Sequence, residues 1–371
     1  MRRLSLGDAR RVALADARAK ARSVLVSVDN GEDPAVAKAL SRRAETFGDL
    51  WDEYLSRHAK QNKRSWRDDE RIAKAELLPH WRHRKAKDIT RADVRQILDA
   101  IIDRKAPIMA NRTLSLARKM FNFGLERDLV AFNPCHKVKP PSRERSRDRV
   151  LSDDEVQSLW QALEQEEKDG RYLIAAFYRI RLLTAQRGRE VRRMRWCDIS
   201  QEPAGPVWTL PQEATKNRRS HRVPLCPAVM AVLTVVGAKA EEARQSANKF
   251  REKKGQPLRA PSEWVFPSPR GNAPMGPTQK AFDRVRFACG RPDYTGHDLR
   301  RTAATRMTGE LKIPRFTVAR VLNHLEPGVT GVYDRYAYDD EMRDALLRWG
   351  RLVIEGIVGG ERQVSRVLAF R

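Results

Sequence analysis

Apolar residues in the first third of the chain recur every three or four positions, which is the spacing of one face of an α-helix. The clearest stripes are Phe47, Leu50, Trp51, Tyr54 and Leu55; Val94, Ile97, Leu98, Ile101 and Ile102; and Ala110, Leu114, Ala117 and Phe121. Thr90 and Asp93 have the spacing of a capping box, in which each side chain satisfies a backbone N–H at a helix start. The pattern predicts a small all-helical domain over 46–134.

The second half of the chain begins with a helical pattern and then changes to short β-like runs. Ser152 and Glu155 again have capping-box spacing, and helical periodicity continues to about residue 196. The β-like runs are 206–211, 221–225 and 264–267. A charged stretch over 238–262 indicates a helix followed by a loop, and the last helical pattern covers about 340–357. These patterns predict a mainly α fold with a small β-sheet (α+β).

The remaining segments complete a division into domains. An Ala- and Arg-rich helix is predicted over 5–28, and a short helix is predicted from Asp33. Residues 136–149 carry two prolines and alternating charges, which indicates a linker that is either solvated or follows a phosphate backbone. The predicted division is an N-terminal helical segment over 1–45, a helical domain over 46–134, a linker over 135–149, a second domain over 150–345, and a C-terminal helix and tail over 346–371.

The charge of the chain points to an anionic polymer as its partner, and nucleic acid is the commonest such polymer. Among 371 residues, 73 Lys and Arg stand against 48 Asp and Glu, so the formal net charge is +25. The four cysteines form no CxxC pair, which argues against a zinc ribbon or a disulfide framework and suits a reducing cytoplasm. The chain has neither an apolar run of roughly 18 residues nor a GxxxxGK[ST] loop, which argues against a membrane span and against ATP-driven work.

Six side chains in the second half suit phosphate chemistry: Arg187, Lys216, His297, Arg300, His324 and Tyr333. Each has a plainer alternative, since an arginine is often salt-bridged, a hairpin lysine is usually solvated and a lone tyrosine is usually core. His297 and Arg300 are three residues apart, so they share a helix face. His221, His297 and His324 lack the HxxH or HxxxH spacing of a metal site, and no GxSxG motif suggests a serine hydrolase.

The order and spacing of these six residues resemble the tyrosine recombinase (phage integrase) family. The matching segments are TAQRGRE, ATKNRRSHRVPL, GHDLRRT, LNH and VYDRY, and the resemblance covers about 46–345. It implies that 46–134 is a helical, SAM-like core-binding domain and that 150–345 is the catalytic domain. Ala185 and Asn323 depart from the family pattern, because glycine is usual before the first arginine and before the second histidine.

The start of the chain is similar to a subgroup of integrases found in prophages and genomic islands. The resemblance rests on 5–40, with LSLGDARRVALADAR and GEDPAVAK. Members of this subgroup usually begin with a β-rich domain that binds accessory arm DNA. The segment 1–45 is therefore expected to be a remnant of that domain or the junction to it.

The resemblance implies a site-specific recombinase that cuts and rejoins DNA through a 3′-phosphotyrosyl intermediate and integrates or excises a phage or genomic island. It implies these roles: Tyr333 attacks the phosphorus, Arg187 and Arg300 clamp the phosphate, Lys216 protonates the leaving 5′-oxygen, His297 takes the tyrosine proton, His324 donates to the phosphate, and Glu190 supports the site. The expected partners are double-stranded attachment-site DNA, three further copies in a homotetramer and an excision accessory protein, in the bacterial cytoplasm at the nucleoid. No metal and no nucleotide cofactor is expected.

Several alternatives stay open at this point. A type IB topoisomerase shares the tyrosine chemistry, and a decayed integrase would bind DNA without cutting it. Tyr336 and Tyr338 compete with Tyr333 for the role of nucleophile. The apolar face of the last helix, with Leu346, Trp349 and Val353, is expected to dock on a neighbouring protomer, or else to pack on its own domain.

Overall fold

The computed structural model describes residues 8, 10, 12–30, 45–144, 148–215, 217, 219–269, 271–290, 293–324 and 336–360. The chain forms two compact units, Met1–Ser146 and Arg147–Arg371. Within the described residues each unit has its own hydrophobic core. The short helix expected from Asp33 lies outside the described residues.

The first unit is helical throughout its described elements. Its α-helices are α1 (Leu14–Asp29), α2 (Phe47–Tyr54), α3 (Lys60–Asn62), α4 (Trp66–Ile72), α5 (Leu78–Trp81), α6 (Arg91–Asp103) and α7 (Pro107–Leu125). Wider π-helical turns, Leu55–Ala59 and Ala73–Leu77, join α2 to α3 and α4 to α5, and a 3₁₀ turn covers Ala86–Asp88. This first helix begins at Leu14, because Ala13 before it is in an extended conformation. The start of the helix predicted over 5–28 lies outside the described residues.

Capping and apolar spacing place these helices where the sequence predicts them. Thr46 with Asp49, and Thr90 with Asp93, each form both hydrogen bonds of a capping box. The apolar stripes of α2, α6 and α7 supply the core, whose centre includes Phe47, Trp81 and Phe121 with ring centroids 5.1–6.4 Å apart.

The first part of the predicted linker is packed against the helices. Cys135 and Val138 are buried in the core of the first unit. The guanidinium of Arg118 donates to the carbonyl of Val138 at 2.6 Å, and the amide of Asn111 donates to the carbonyl of Ser142 at 2.8 Å. The segment 135–142 is therefore anchored to α7 rather than freely solvated.

The described residues of the second unit are mainly helical and include two small antiparallel sheets. Its α-helices are α8 (Asp153–Lys168), α9 (Tyr172–Thr184), α10 (Gly188–Arg192), α11 (Pro227–Lys253), α12 (Gln279–Ala288), α13 (Gly296–Gly309), α14 (Arg315–Val321) and α15 (Asp339–Arg351). The strands are β1 (Ile199–Glu202), β2 (Gly205–Leu210), β3 (His221–Pro224), β4 (Pro267–Ser268) and β5 (Gly271–Pro274). One sheet has the order β1-β2-β3, and the other pairs β4 with β5.

The β-like runs are confirmed in part. The first two form β2 and β3, which pair as a hairpin with Trp208 opposite Val223. The third, 264–267, is mostly not a strand: Trp264 makes an isolated bridge to Arg195, and only Pro267 enters β4. Strand β1 has no apolar alternation in its sequence ISQE, which is why the pattern did not predict it.

The last helix packs on its own unit, which overturns the expectation that its apolar face docks on a neighbouring protomer. Leu346, Trp349 and Val353 are all buried in the core of the second unit. The indole Nε1 of Trp349 donates to the carbonyl of Leu182 in α9 at 2.8 Å. A π-helical segment, Leu352–Val358, continues α15.

Candidate active site

Arg300 lies at the centre of the candidate site and is almost fully buried, with 4% of its surface exposed. Its guanidinium donates to the carbonyl of Ala185 at 2.8 Å and to the carbonyl of Leu322. The ring Nε2 of His324 lies 3.3 Å from its Nη2. Burial, and secondarily the charge of Arg187, lowers the pKa of Arg300 to about 10. One buried cation thus joins the turn before Arg187 to the end of α14.

Arg187 is presented at the N-terminus of the short helix α10. Its main-chain N–H donates to one oxygen of Glu190 at 3.0 Å, and its Nη1 donates to the other at 3.0 Å. Glu190 is buried, whereas 28% of the Arg187 side chain is exposed. This geometry fits the supporting role expected of Glu190, because the carboxylate fixes the arginine at the opening of the site.

Two histidines complete the described part of the site. His297 is in the first turn of α13, three residues before Arg300, and His324 follows α14. Burial lowers the pKa of both imidazoles, and the charge of Arg300 lowers both further. Both rings are therefore neutral at pH 7, and a neutral imidazole nitrogen can accept a proton.

Both positions that depart from the family pattern have left-handed backbone conformations. Ala185 has φ +57° and Asn323 has φ +51°, a region that favours glycine. Ala185 precedes the loop to Arg187, and Asn323 directly precedes His324. The glycines usual in the family would meet the same backbone requirement.

Arg181 is a residue of this region that the sequence analysis missed. Its guanidinium lies between Gly188 and Gly296, and its Nη2 donates to the Gly296 carbonyl. A Cβ on Gly296 would clash with its Nη1. Burial lowers the pKa of Arg181, whose neighbours include the ring of Tyr178. The signal in the sequence was a charged residue inside the apolar run YLIAAFYRIRLL.

A second missed group converges on the carbonyl of Val321, at the end of α14. The Nε2 of Gln186 donates to it at 2.8 Å, and the ring Nε2 of His221 lies 3.2 Å from it. A carbonyl only accepts hydrogen bonds, so the Nε2 of His221 carries the proton. Burial lowers the pKa of His221 to about 4. These contacts fix the backbone just before His324.

The lysine and the tyrosine of the predicted set, Lys216 and Tyr333, lie outside the described residues. The structure thus brings four of the six together: Arg187, His297, Arg300 and His324. Beside them is a cavity of about 260 Å³, lined among others by His221, His324 and Tyr336. In the described part of the chain, no group of three His, Cys, Asp or Glu side chains has the geometry of a metal site.

Comparison with known families identifies both units. Residues 149–339 match the model of the phage integrase family, and residues 47–140 match the model of the phage integrase central domain. The prophage integrase IntZ of Escherichia coli K12 is 27% identical over 277 residues, which are 74% of this chain and 62% of that protein. The integrase of Shigella phage Sf6 is 23% identical over 353 residues, which are 93% of this chain and 85% of that protein.

Solved structures share the fold. A lambda integrase tetramer bound to a Holliday junction superposes with a TM-score of 0.60 at 18% identity, covering 91% of this chain and 90% of that one. The Tn1549 transposon integrase in complex with circular intermediate DNA superposes with a TM-score of 0.56 at 14% identity, covering 81% and 99%. The helices that the structure describes include none long and apolar enough to cross a membrane.

Proposed function

Because the chain belongs to the phage integrase family, we propose that it is a site-specific DNA recombinase that integrates or excises a mobile element. It cuts and rejoins DNA through a 3′-phosphotyrosyl intermediate. Its substrate is double-stranded attachment-site DNA, on which four copies assemble, with an accessory protein biasing the reaction towards excision. The strongly basic charge of the chain suits such a substrate.

The observation that carries the proposal is the pair of neighbouring cations formed by Arg300 and Arg187. The guanidinium of Arg300 is buried and is hydrogen-bonded to two carbonyls and close to a histidine, rather than to a carboxylate, among the described residues. Arg187 is close enough to lower its pKa. In the described part of the site, Arg187 and Arg300 have one carboxylate, Glu190, beside them, so the two arginines keep a net positive charge that a phosphodiester can neutralise.

In the proposed reaction, cleavage consists of one displacement at phosphorus and two proton transfers. The hydroxyl oxygen of Tyr333 forms a bond to the scissile phosphorus while the bond from phosphorus to the 5′-oxygen breaks. A proton passes from Lys216 to the departing oxygen, and the tyrosine proton passes to the neutral ring of His297. The phosphotyrosyl bond keeps the energy of the broken linkage, so a 5′-hydroxyl of another strand can later reverse the step.

The arginines and His324 act on the phosphate itself. Negative charge gathers on the non-bridging oxygens in the pentacoordinate transition state, and Arg187, Arg300 and His324 donate to them. Donors that are fixed before the reaction need no reorganisation, and for this reason such electrostatic stabilisation accounts for most of the rate enhancement in many enzymes. The main-chain contacts of Arg300 supply that fixation.

The test compares Arg300→Lys with Arg301→Lys on a nicked suicide duplex copied from the junction of the excised circular element. Lysine keeps the charge but loses the planar fork that reaches two carbonyls. We expect Arg300→Lys to slow covalent adduct formation about 100-fold and to leave DNA binding within about threefold. The control residue, Arg301, is on the same helix and is paired with Asp298, so its variant should stay near the wild-type rate.

Two outcomes would count against the proposal. If Arg300→Lys formed the adduct at the wild-type rate, the guanidinium of Arg300 would not be needed for cleavage. Relaxation of supercoiled plasmid by the wild type without any preference for the attachment site would instead favour a type IB topoisomerase.

A further inference from the structure

Two asparagines join the turn between β2 and β3 to the end of α14. The Nδ2 of Asn217, in the turn, donates to the Oδ1 of Asn323 at 2.7 Å. The same Nδ2 lies 3.5 Å from the main-chain oxygen of Asn323. The two residues are 106 positions apart, so the contact is purely tertiary.

Asn323 is held in place by the active-site arginine. On one side of it, the carbonyl of Leu322 accepts from Arg300, and on the other side His324 contacts the same guanidinium. The φ of Asn323 is +51°, which asparagine tolerates better than most residues. A glycine would fit this backbone equally well but would have no amide to offer to Asn217.

Asn217 is tied into its own turn. The main-chain N–H of Arg219 lies 3.4 Å from its Oδ1, at the long end of hydrogen-bond range. The hydroxyl of Thr215 lies 3.1 Å from the carbonyl of Gln212 and 2.8 Å from that of Arg219. The amide of Asn217 therefore faces both its own turn and the active-site backbone. Lys216 is its neighbour in the sequence.

We propose that Asn217 and Asn323 form a positioning latch that holds the β2–β3 turn so that Lys216 can protonate the leaving 5′-oxygen. The inference rests on the proposed function and adds to it two positioning residues. The departure from glycine at 323 is then functional, because the side chain gained at that position is the acceptor of the latch.

The leaving-group atom gives a direct readout of this role. A substrate with sulfur in place of the bridging 5′-oxygen releases a thiolate, whose conjugate acid has a pKa of about 8.5, so it leaves without a proton donor. Loss of the proton donor should slow cleavage of the oxygen substrate and spare the sulfur substrate. A general distortion of the site should slow both.

The experiment measures single-turnover cleavage of oxygen and sulfur suicide duplexes by the full chain. We expect Asn217→Ala and Asn323→Gly each to slow cleavage of the oxygen substrate about fivefold, which is the equivalent of one neutral hydrogen bond. Cleavage of the sulfur substrate should slow less than about twofold. The double variant should be no slower than either single variant, because each removes the same contact. Lys216→Ala should show the same discrimination with a larger amplitude.

Asn248→Ala is the matched control. Asn248 lies in α11, and its amide contacts two main-chain groups of Arg259, in the loop that follows, at 3.2 and 2.7 Å, so its loss should leave both rates unchanged. Wild-type rates for Asn217→Ala and Asn323→Gly on the oxygen substrate would overturn the latch, and so would equal slowing on both substrates. A wild-type chain that forms no adduct with either duplex would instead refute the proposed function itself.

Discussion

The guanidinium of Arg300 donates a 2.8 Å hydrogen bond to the carbonyl of Ala185, a residue whose φ is +57°. Ala185 directly follows α9 and comes two residues before Arg187. The left-handed conformation at this residue ends the helix and leads the chain to Arg187. The backbone at this alanine therefore links the two arginines, since it accepts from one and leads directly to the other.

Replacing Ala185 by glycine should leave the free energy of unfolding unchanged or raise it by up to about 1 kcal/mol, because glycine adopts positive φ without strain. Ala176→Gly is the control: it makes the same substitution in the middle of α9, where it should cost about 1 kcal/mol. Urea unfolding of both variants measures the difference. An equal loss for the two would show that Ala185 is not strained.

Gly296→Ala should destabilise the protein by about 1–3 kcal/mol, because overpacking a filled site forces neighbours to move. The added methyl would clash with the guanidinium of Arg181, which is buried. Gly309, in the last turn of the same helix, has open space around it, so Gly309→Ala should be neutral or slightly stabilising. Thermal melting checks both, and a neutral Gly296→Ala would contradict this close packing.

Arg181→Met provides a second check on the same contact. Methionine is flexible and has no guanidinium near Gly296. The double variant of Arg181→Met and Gly296→Ala should lose less free energy of unfolding than the two single variants lose in total. The reason is that the clash exists only when both the methyl and the guanidinium are present. Strict additivity would mean that the two residues do not interact.

Because of His221, the free energy of unfolding should fall as the pH is lowered from about 6.5 towards 4. Its pKa is lowered to about 4 by burial, while the unfolded chain has a histidine pKa of about 6.5. The unfolded state therefore binds more protons in this window, and folding loses on the order of 2 kcal/mol by about pH 4.5. His221→Gln keeps a donor for the Val321 carbonyl but does not titrate. Urea unfolding at several pH values should show a flatter profile for the variant, and identical profiles would rule out this role of His221.

Local rules predicted much of the fold. Thr90 and Ser152 each form the capping box that their spacing indicates. The hairpin of β2 and β3 follows from two apolar runs around a polar turn. These features depend on residues within a few positions of one another, and such interactions leave a pattern in the sequence.

The supporting contacts of the site had no such pattern. Gln186 reaches a carbonyl 135 positions away, and Asn217 reaches one of its partners across 106 positions. Their residue types are ordinary for a turn or a helix end, so only tertiary structure gives them a role. The face of α15 was misassigned for a related reason: an apolar stripe shows that Trp349 is buried, but not which surface covers it.

The central claim is that Tyr333 becomes covalently linked to a 3′-phosphate of DNA. The most direct measurement incubates the full chain with the nicked suicide duplex, digests the adduct and identifies the nucleotide-bearing peptide by mass spectrometry. We predict a 3′-phosphotyrosyl bond at Tyr333, no adduct with Tyr333→Phe, and wild-type adduct with Tyr336→Phe. Attachment at Tyr336 or Tyr338, linkage to a 5′-phosphate, or the absence of any adduct with wild-type protein would contradict the account.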